Sequence, residues 1–585
     1  MSLHLTQFTS LFNSSRHFLG DWCDPTANIR YLPHRYDNHG VQQSDYLLVN
    51  KLYHHLLHIL HSYSSCFNPQ LCLSKRGIEI LYGPWLKSFL ICFVDRYYTI
   101  FSSSTHSFLV ASYDTDFNVY FQSSYSSCAS FNTDPANQHI FQTIIKFLRL
   151  KTLPVLTVLP CLNDNLLVSE GSISSKLVQP NPLLIFLFSC YTFLSSFFSR
   201  LNLYRSFIAY SYLPLLSNII LSLRYYSFYF PSFFHISLST SVRDSYSSRL
   251  RNQLSLYLKS HLSLDPSLNI NSDCFIQLLI DFLPGNLLES LPLFFAKAKQ
   301  MHWPISGKSM HILTANCYQY NDFFCFVTAM SVSTSTSKLS IIQHGGNYGN
   351  ALFNSSEDHQ RSISDAYWTW GWKEDIKTYP VGVCKQFPKY KPPSVANLKI
   401  MYVLMELNRY VYINYGGIHS SQWIDYCNLH LETISTLKSK SYDIVLRIKP
   451  RSNCWDSQSR FSTLNLPFDR TPSFHSSVCN FSLIISTYNA ATYLETMAMN
   501  VPTIIYWNPL MWPLRDSALP YFKLLTDCNV LIKTPSKLVS VLSDIESKGV
   551  FCWWNEPHRR ESIFQFIAQY AQVNPNYACS APLHY

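Results

Sequence analysis

The sequence predicts an α/β protein whose C-terminal part is Rossmann-like. Three observations carry that expectation. From residue 398 onward, short apolar runs alternate with helical patterns, as βαβ units on a parallel sheet require. Upstream, the apolar run Lys338-Leu339-Ser340-Ile341-Ile342 leads straight into Gln343-His344-Gly345-Gly346-Asn347-Tyr348-Gly349, a strand that ends in a glycine-rich junction. Finally, 47% of the 585 residues are apolar and 16% are aromatic, which rules out a disordered or collagen-like chain. That length allows about two to four domains.

Taken in order, residues 1–20 lack a basic segment followed by an apolar one, so no signal peptide is expected. Residues 46–63 have helical periodicity and set His54, His58 and His61 on one face. As metal ligands these would need a carboxylate or a fourth ligand nearby, and a polar helix face is the expectation. Asp114-Thr115-Asp116 is a D-x-D pattern, which can hold a divalent metal against a nucleotide diphosphate, but a three-residue pattern arises often by chance. Residues 177–199, 206–223 and 225–242 carry no charge and approach the length of a bilayer span. Pro180, Pro182, Pro214 and Pro231 interrupt them, as do Asn181 and Asn218. Buried or interfacial helices are expected, with Arg200, Arg205 and Arg224 suited to an anionic membrane surface. Residues 278–299 read as helix in pieces, broken at Pro284-Gly285.

Residues 367–372 (YWTWGW) read as a strand, and residues 385–394 (KQFPKYKPPS) as an interdomain linker. Strands are then expected at 398–406, 443–448, 482–486, 501–507 and 529–532, with helices at 422–437, 490–499 and 536–547.

Candidate chemistry follows from this pattern. Only 15 residues are glycine, where average usage would give about 41. Five of the 15 fall between Gly345 and Gly382, so backbone freedom is concentrated there. Gly345 and Gly346 let a substrate approach the main chain closely, and His344 can accept a proton near neutral pH. Ligands of open α/β sheets bind at the carboxyl ends of strands, where His344 is expected. Glu357-Asp358-His359-Gln360-Arg361 and Asp365 read as a polar helix before the next strand, with Arg361 and Asp365 able to pair. Arg447, Lys449 and Arg451 cluster at the end of the 443–448 strand, where cations bind phosphate well. The 482–486 strand delivers Ser486, Thr487 and Asn489 to a helix start, where amides, the dipole and hydroxyl caps suit an anion. Glu495, within that helix, can accept two hydroxyls of a ribose. No glycine lies at this helix start, so neither a P-loop nor a G-x-G-x-x-G cofactor site is expected.

Composition bounds the partners. Charged residues are 14% of the chain and the net charge is +10, without a long basic run, so a nucleic-acid protein is not expected. The 17 cysteines include no C-x-x-C pair, which argues against zinc ribbons and fingers and suits free thiols in a reducing cytosol.

At these residues the sequence resembles a transferase family of bacterial surface-carbohydrate biosynthesis clusters. The resemblance rests on FLGDWCD (18–24), YGPWLKSFLICFVDRYY (82–98), QHGGNYG (343–349), ISDAYWTWGW (363–372) and STYNAATYLETMAMNVPTI (486–504). A more distant likeness is to GT-B transferases, including the polyol-phosphate polymerases of teichoic acids. Their histidine-glycine motif is similar to His344-Gly345. Their Arg-x-His-Pro motif is similar to Arg447-Ile448-Lys449-Pro450, with lysine in place of histidine. Their D-x-S-S motif is similar to Ile485-Ser486-Thr487-Tyr488, without the aspartate.

The resemblance implies a GT-B-like α/β fold: two Rossmann-type domains facing a cleft. The 177–262 stretch, which has no counterpart in that resemblance, reads as a helical aromatic-rich insertion in the N-terminal half. Residues 1–390 would bind a carbohydrate or lipid-linked acceptor and residues 391–585 a nucleotide-activated donor. His344 would be general base. Gly345, Gly346, Arg447, Lys449, Ser486, Thr487, Asn489 and Glu495 would hold the donor, with no metal or other cofactor. The expected reaction is sugar transfer to a surface-polysaccharide acceptor by a cytoplasmic enzyme, at most peripheral to the inner face of the membrane. Two alternatives stay open: phosphotransfer from a CDP-polyol, and a non-catalytic, membrane-associated assembly protein.

Overall fold

A computed structural model describes residues 2–4, 34–113, 120–159, 206–213, 218, 227–230, 245–300, 309–391, 393, 398–419, 422–449 and 454–574. The 18–24 motif, Asp114-Thr115-Asp116, Arg451 and most of 177–242 lie outside these residues. Where 206–209 and 227–230 are described they are strands, not the buried or interfacial helices expected there, as their aromatic and β-branched residues favour.

Three sheets organise the described chain, and all their strand pairs are parallel. The first has the order β1-β2-β3, from β1 (Ser2–His4), β2 (Ser107–Tyr113) and β3 (Thr152–Leu159). The second has six strands: β4 (Ser206–Ala209), β5 (Ser227–Phe230), β6 (His311–Thr314), β7 (Lys338–Ile342), β8 (Ala366–Thr369) and β9 (Thr378–Pro380), in the order β5-β4-β6-β7-β8-β9. The third comprises β10 (Lys399–Leu404), β11 (Asp443–Ile448), β12 (Leu483–Ser486), β13 (Thr503–Tyr506) and β14 (Leu531–Ile532), in the order β11-β10-β12-β13-β14. Both larger sheets are therefore Rossmann-type, and each has a point where strand order reverses: between β4 and β6, and between β10 and β12. Crevices at such switch points are where open α/β sheets bind ligands.

The helical N-terminal region is built on α1 (His39–Phe67) and α2 (Lys75–Ser102). Ser74 caps α2 by accepting from the Gly77 amide. The helix is apolar nearly all round, so it must be enclosed. Trp85, Phe89 and Phe93 stack along it at four-residue spacing, with ring centroids 5.6 and 6.2 Å apart. It is the one helix among the described residues long and apolar enough to cross a membrane, and most of it is buried in protein. On α1, His54 and His58 are exposed, as a polar helix face requires.

β7 and β11 occupy the residues expected of them. The 367–372 element is shorter than expected: β8 ends at Thr369, and Trp370-Gly371-Trp372 turn away. There the Thr369 hydroxyl donates to the Trp372 carbonyl at 2.5 Å, and Gly371 has φ +141°. The 357–361 segment lies on α3 (Ser355–Ile363). Arg361 pairs with Glu374 and Asp375, while Asp365 pairs with Arg76 and Lys338 rather than with Arg361.

Two of the contacts that stitch the larger sheets together shape the fold around the site. Residues that follow the last described helix, α7 (Pro557–Tyr570), return to the six-stranded sheet. There the Gln572 amide donates to the Trp370 carbonyl, and the Val383 amide to the Gln572 carbonyl, both at 2.8 Å. Gly382, at φ +97°, lies against that same Gln572 carbonyl, where an added Cβ would stand 2.7 Å away.

The second stitch is ionic. Glu357 is 1% exposed and accepts from both terminal nitrogens of Arg515, at 2.9 and 3.2 Å, and from the Gly349 amide at 2.9 Å. Arg515→Ala leaves this carboxylate only the Gly349 amide and the longer Arg361 contact of 3.4 Å. We expect a loss of about 2 kcal/mol in urea unfolding, because a buried charge loses its main partner.

Candidate functional site

Four helices bear on the site: α4 (Gln422–Ser439), α5 (Phe474–Val478), α6 (Ala491–Ala498) and α7. β7 ends at Ile342 and delivers His344-Gly345-Gly346 toward the start of α6, which follows β12. Gly346 lies directly against that start. A Cβ on it would stand 2.0 Å from the Ala491 nitrogen and 2.2 Å from the Ala490 carbonyl carbon. The glycine-rich junction of one sheet thus meets the strand-to-helix turn of the other.

His344 is half-buried, with Tyr348 edge-on to it at 5.6 Å. Its Nδ1 is sealed from solvent. Burial pushes the imidazole down to about 4, and the Lys385 ammonium pushes it the same way. The ring is therefore neutral at pH 7.

Lys385 is the hub that the sequence had assigned to a linker. Its Nζ lies 2.5 Å from Glu495 Oε1 and 5.2 Å from the centre of the Trp370 ring. The other carboxylate oxygen of Glu495 lies 2.9 Å from His475 Nε2. Glu495 is 6% exposed. Burial alone would raise its pKa, but the His475 hydrogen bond and the Lys385 ammonium outweigh it and hold the carboxyl below its ordinary range.

His475 sits on α5, whose Ser473 cap accepts from the Ser476 amide. The same short helix reaches the end of β11. The Arg447 guanidinium lies over the Phe474 ring at 5.4 Å and pairs with Asp469, which also accepts from the Ser477 hydroxyl at 2.5 Å. Burial would raise Asp469, yet the hydrogen bonds from Ser477, Thr471 and Arg447 hold it at about 2. Arg447 is thus already charge-paired, and a phosphate must share it with Asp469. Lys449, at the strand's end, is exposed.

The residues between β12 and α6 are arranged differently from the sequence expectation. The residue that caps α6 is Ala490, and no side chain bonds the first amides. The Thr487 hydroxyl donates to the Val403 carbonyl at 2.9 Å and contacts the Tyr426 hydroxyl of α4 at 2.5 Å. Asn489 donates to Asn350 at 2.9 Å and accepts from Tyr493 at 3.0 Å, so it ties the two sheets together. The Ser486 hydroxyl is buried without a partner. Hydroxyl capping is therefore not what these residues do: Thr487 and Asn489 are bonded elsewhere, and Ala490 stands at the cap position.

The structure brings His344, Gly345, Gly346, Lys385, His475 and Glu495 into one cluster, and α5 links that cluster to Arg447. Among the described residues, no group of three His, Cys, Asp or Glu is placed to hold a metal ion. The described cysteines are free, and most are buried.

No curated protein matches the chain. Among solved structures, MurG of Acinetobacter baumannii aligns over 64% of this chain and 97% of that one, at 10% identity and a TM-score of 0.31. A family model matches residues 1–580 under the description LIC12162 family transferase. The chain belongs to the LIC12162 family of transferases.

Proposed function

We propose that this transferase moves a sugar from a nucleotide-activated donor to a surface-polysaccharide acceptor, in the cytoplasm or at the inner face of a membrane. The observation that carries the reading is the meeting of His344 with the β12–α6 turn, bridged by Lys385 to Glu495. His344, neutral at pH 7, takes the acceptor hydroxyl's proton as that oxygen attacks the anomeric carbon. The bond from that carbon to the donor diphosphate breaks, and the nucleotide departs with the electron pair. Arg447, Lys449 and Lys385 meet the developing phosphate charge, so protein cations suffice for it. Glu495 binds ribose hydroxyls through the lone pairs that Lys385 and His475 leave open.

Ligand-dependent thermal shift tests this, with UDP- and GDP-sugars set against CDP-polyols. A nucleotide-sugar is expected to stabilise the protein. Stabilisation by CDP-polyols alone would move the assignment to phosphotransfer. Arg447→Ala is expected to weaken the effective donor at least about tenfold, the loss of one charge-assisted contact of ~1.5 kcal/mol. An unchanged titration midpoint in that variant would remove Arg447 from the donor site.

A further inference from the structure

The six-stranded sheet has its own switch point, between β4 and β6, and the groups assigned to the donor lie elsewhere. What the chain places there is an exposed aromatic ring. Tyr212 follows β4 by three residues and is 53% exposed. Its backbone is left-handed, at φ +58°, as is that of Tyr210 at φ +48°. Non-glycine residues hold such angles only where their surroundings over-determine them, which happens most often at ligand sites.

The surroundings here do so. The Tyr210 carbonyl accepts from the Ala315 amide at 3.0 Å, across to the end of β6. The Ser211 hydroxyl donates to Asn218 at 2.7 Å, and Asn218 donates back to the Leu213 carbonyl at 3.0 Å. The Tyr212 hydroxyl accepts from Asn316 Nδ2 at 2.9 Å, directly across the switch point. Asn316 is 3% exposed, and the other end of its amide, Oδ1, is buried without a partner. Buried acceptors are almost always satisfied, so an open one beside an exposed ring calls for a donor from outside. The Tyr212 ring is parallel to His344 within 11°, at a centroid distance of 6.3 Å.

We propose that Tyr212, held by Asn316, is the platform on which a sugar ring of the acceptor stacks. This rests on the reading of His344 as the base, because a ring laid on Tyr212 comes within one ring's width of the imidazole. The chemistry of the pocket selects the class. Tyr210, Ser211, Asn218 and Asn316 are uncharged, so the site suits a neutral polyhydroxylated ring rather than a phosphate. The apolar face of a pyranose packs on the aromatic face, and one of its hydroxyls donates to Asn316 Oδ1.

The test is saturation-transfer NMR on the full chain with a panel of methyl pyranosides, run beside the donor thermal shift. Contact is expected with wild type, retained within about twofold in Tyr212→Phe, and reduced about tenfold in Tyr212→Ala. Asn316→Ala is expected to weaken it by a smaller factor. Contact unchanged in Tyr212→Ala, or absent from wild type across the panel, overturns the platform. If donors fail to shift wild type while pyranoside contact still depends on Tyr212, the platform stands and the donor reading falls.

Discussion

His344→Ala is expected to lower turnover by about 10²–10⁴-fold while the donor still binds. That factor is about 3–5 kcal/mol of barrier, the contribution of one positioned base. Its pH dependence carries a sign. The imidazole works in its neutral form, so activity is present above its pKa and lost as pH falls through it. With the ring at about 4, the acid limb of kcat/KM lies near that pH rather than near 6.5. Lys385→Gln removes a charge that disfavours protonation, so the limb moves upward. Burial, the larger cause, remains, and the move is partial. A limb that stays in place in Lys385→Gln, or turnover unchanged in His344→Ala, would remove His344 from the chemistry.

Gly346→Ala should be the most damaging single-atom change to stability. The new Cβ would meet Ala490 and Ala491 backbone atoms at 2.0 to 2.2 Å, and neither can rotate away as a side chain would. One of the two junctions must retreat. A cost of about 3 kcal/mol, the upper end for overpacking, is expected in chemical denaturation. Activity should fall as well, because the same retreat draws His344 away from Lys385 and Glu495. The neighbouring Gly345→Ala is a control: its Cβ would meet only the Tyr348 ring, at 3.2 Å, and is expected to cost about 1 kcal/mol or less. Equal stabilities for the two variants would show that the junction is not tightly packed against α6.

The legible parts of this chain were those with strong periodicity. β7 and β11 were readable to the residue because each is an apolar run ended by glycine or cations. The Rossmann alternation after residue 398 was readable for the same reason. Glycine scarcity located the right region for a reason that composition does not reveal. Gly346, Gly371 and Gly382 each face backbone from the other half of the molecule, so the cluster marks where two sheets press together. The missed residues have no periodic context. Lys385 follows β9 in a Pro- and Lys-rich run that reads as a linker, yet its ammonium is drawn to a buried carboxylate. His475 lies on a helix of five residues, too short to leave a pattern. Tyr212 sits in an apolar, serine-rich stretch where nothing in the sequence distinguishes one aromatic from the next. The capping role expected of Ser486, Thr487 and Asn489 failed because Thr487 and Asn489 are drawn to Val403, Tyr426, Asn350 and Tyr493, and Ala490 stands at the cap position.

The return of residues 571–574 to the six-stranded sheet bears on how the chain folds. Asn574 contacts the Val381 carbonyl across 193 residues of sequence, and Gln572 closes a comparable loop with Trp370. Contacts so distant along the chain form late, because loop closure precedes the reward. During synthesis, the groove at Gly371 and Gly382 therefore waits empty until residues 571–574 have emerged. The six-stranded sheet stays unfinished there while the five-stranded sheet is being made, and refolding should show a slow final phase in which tryptophan fluorescence around Trp370 and Trp372 settles.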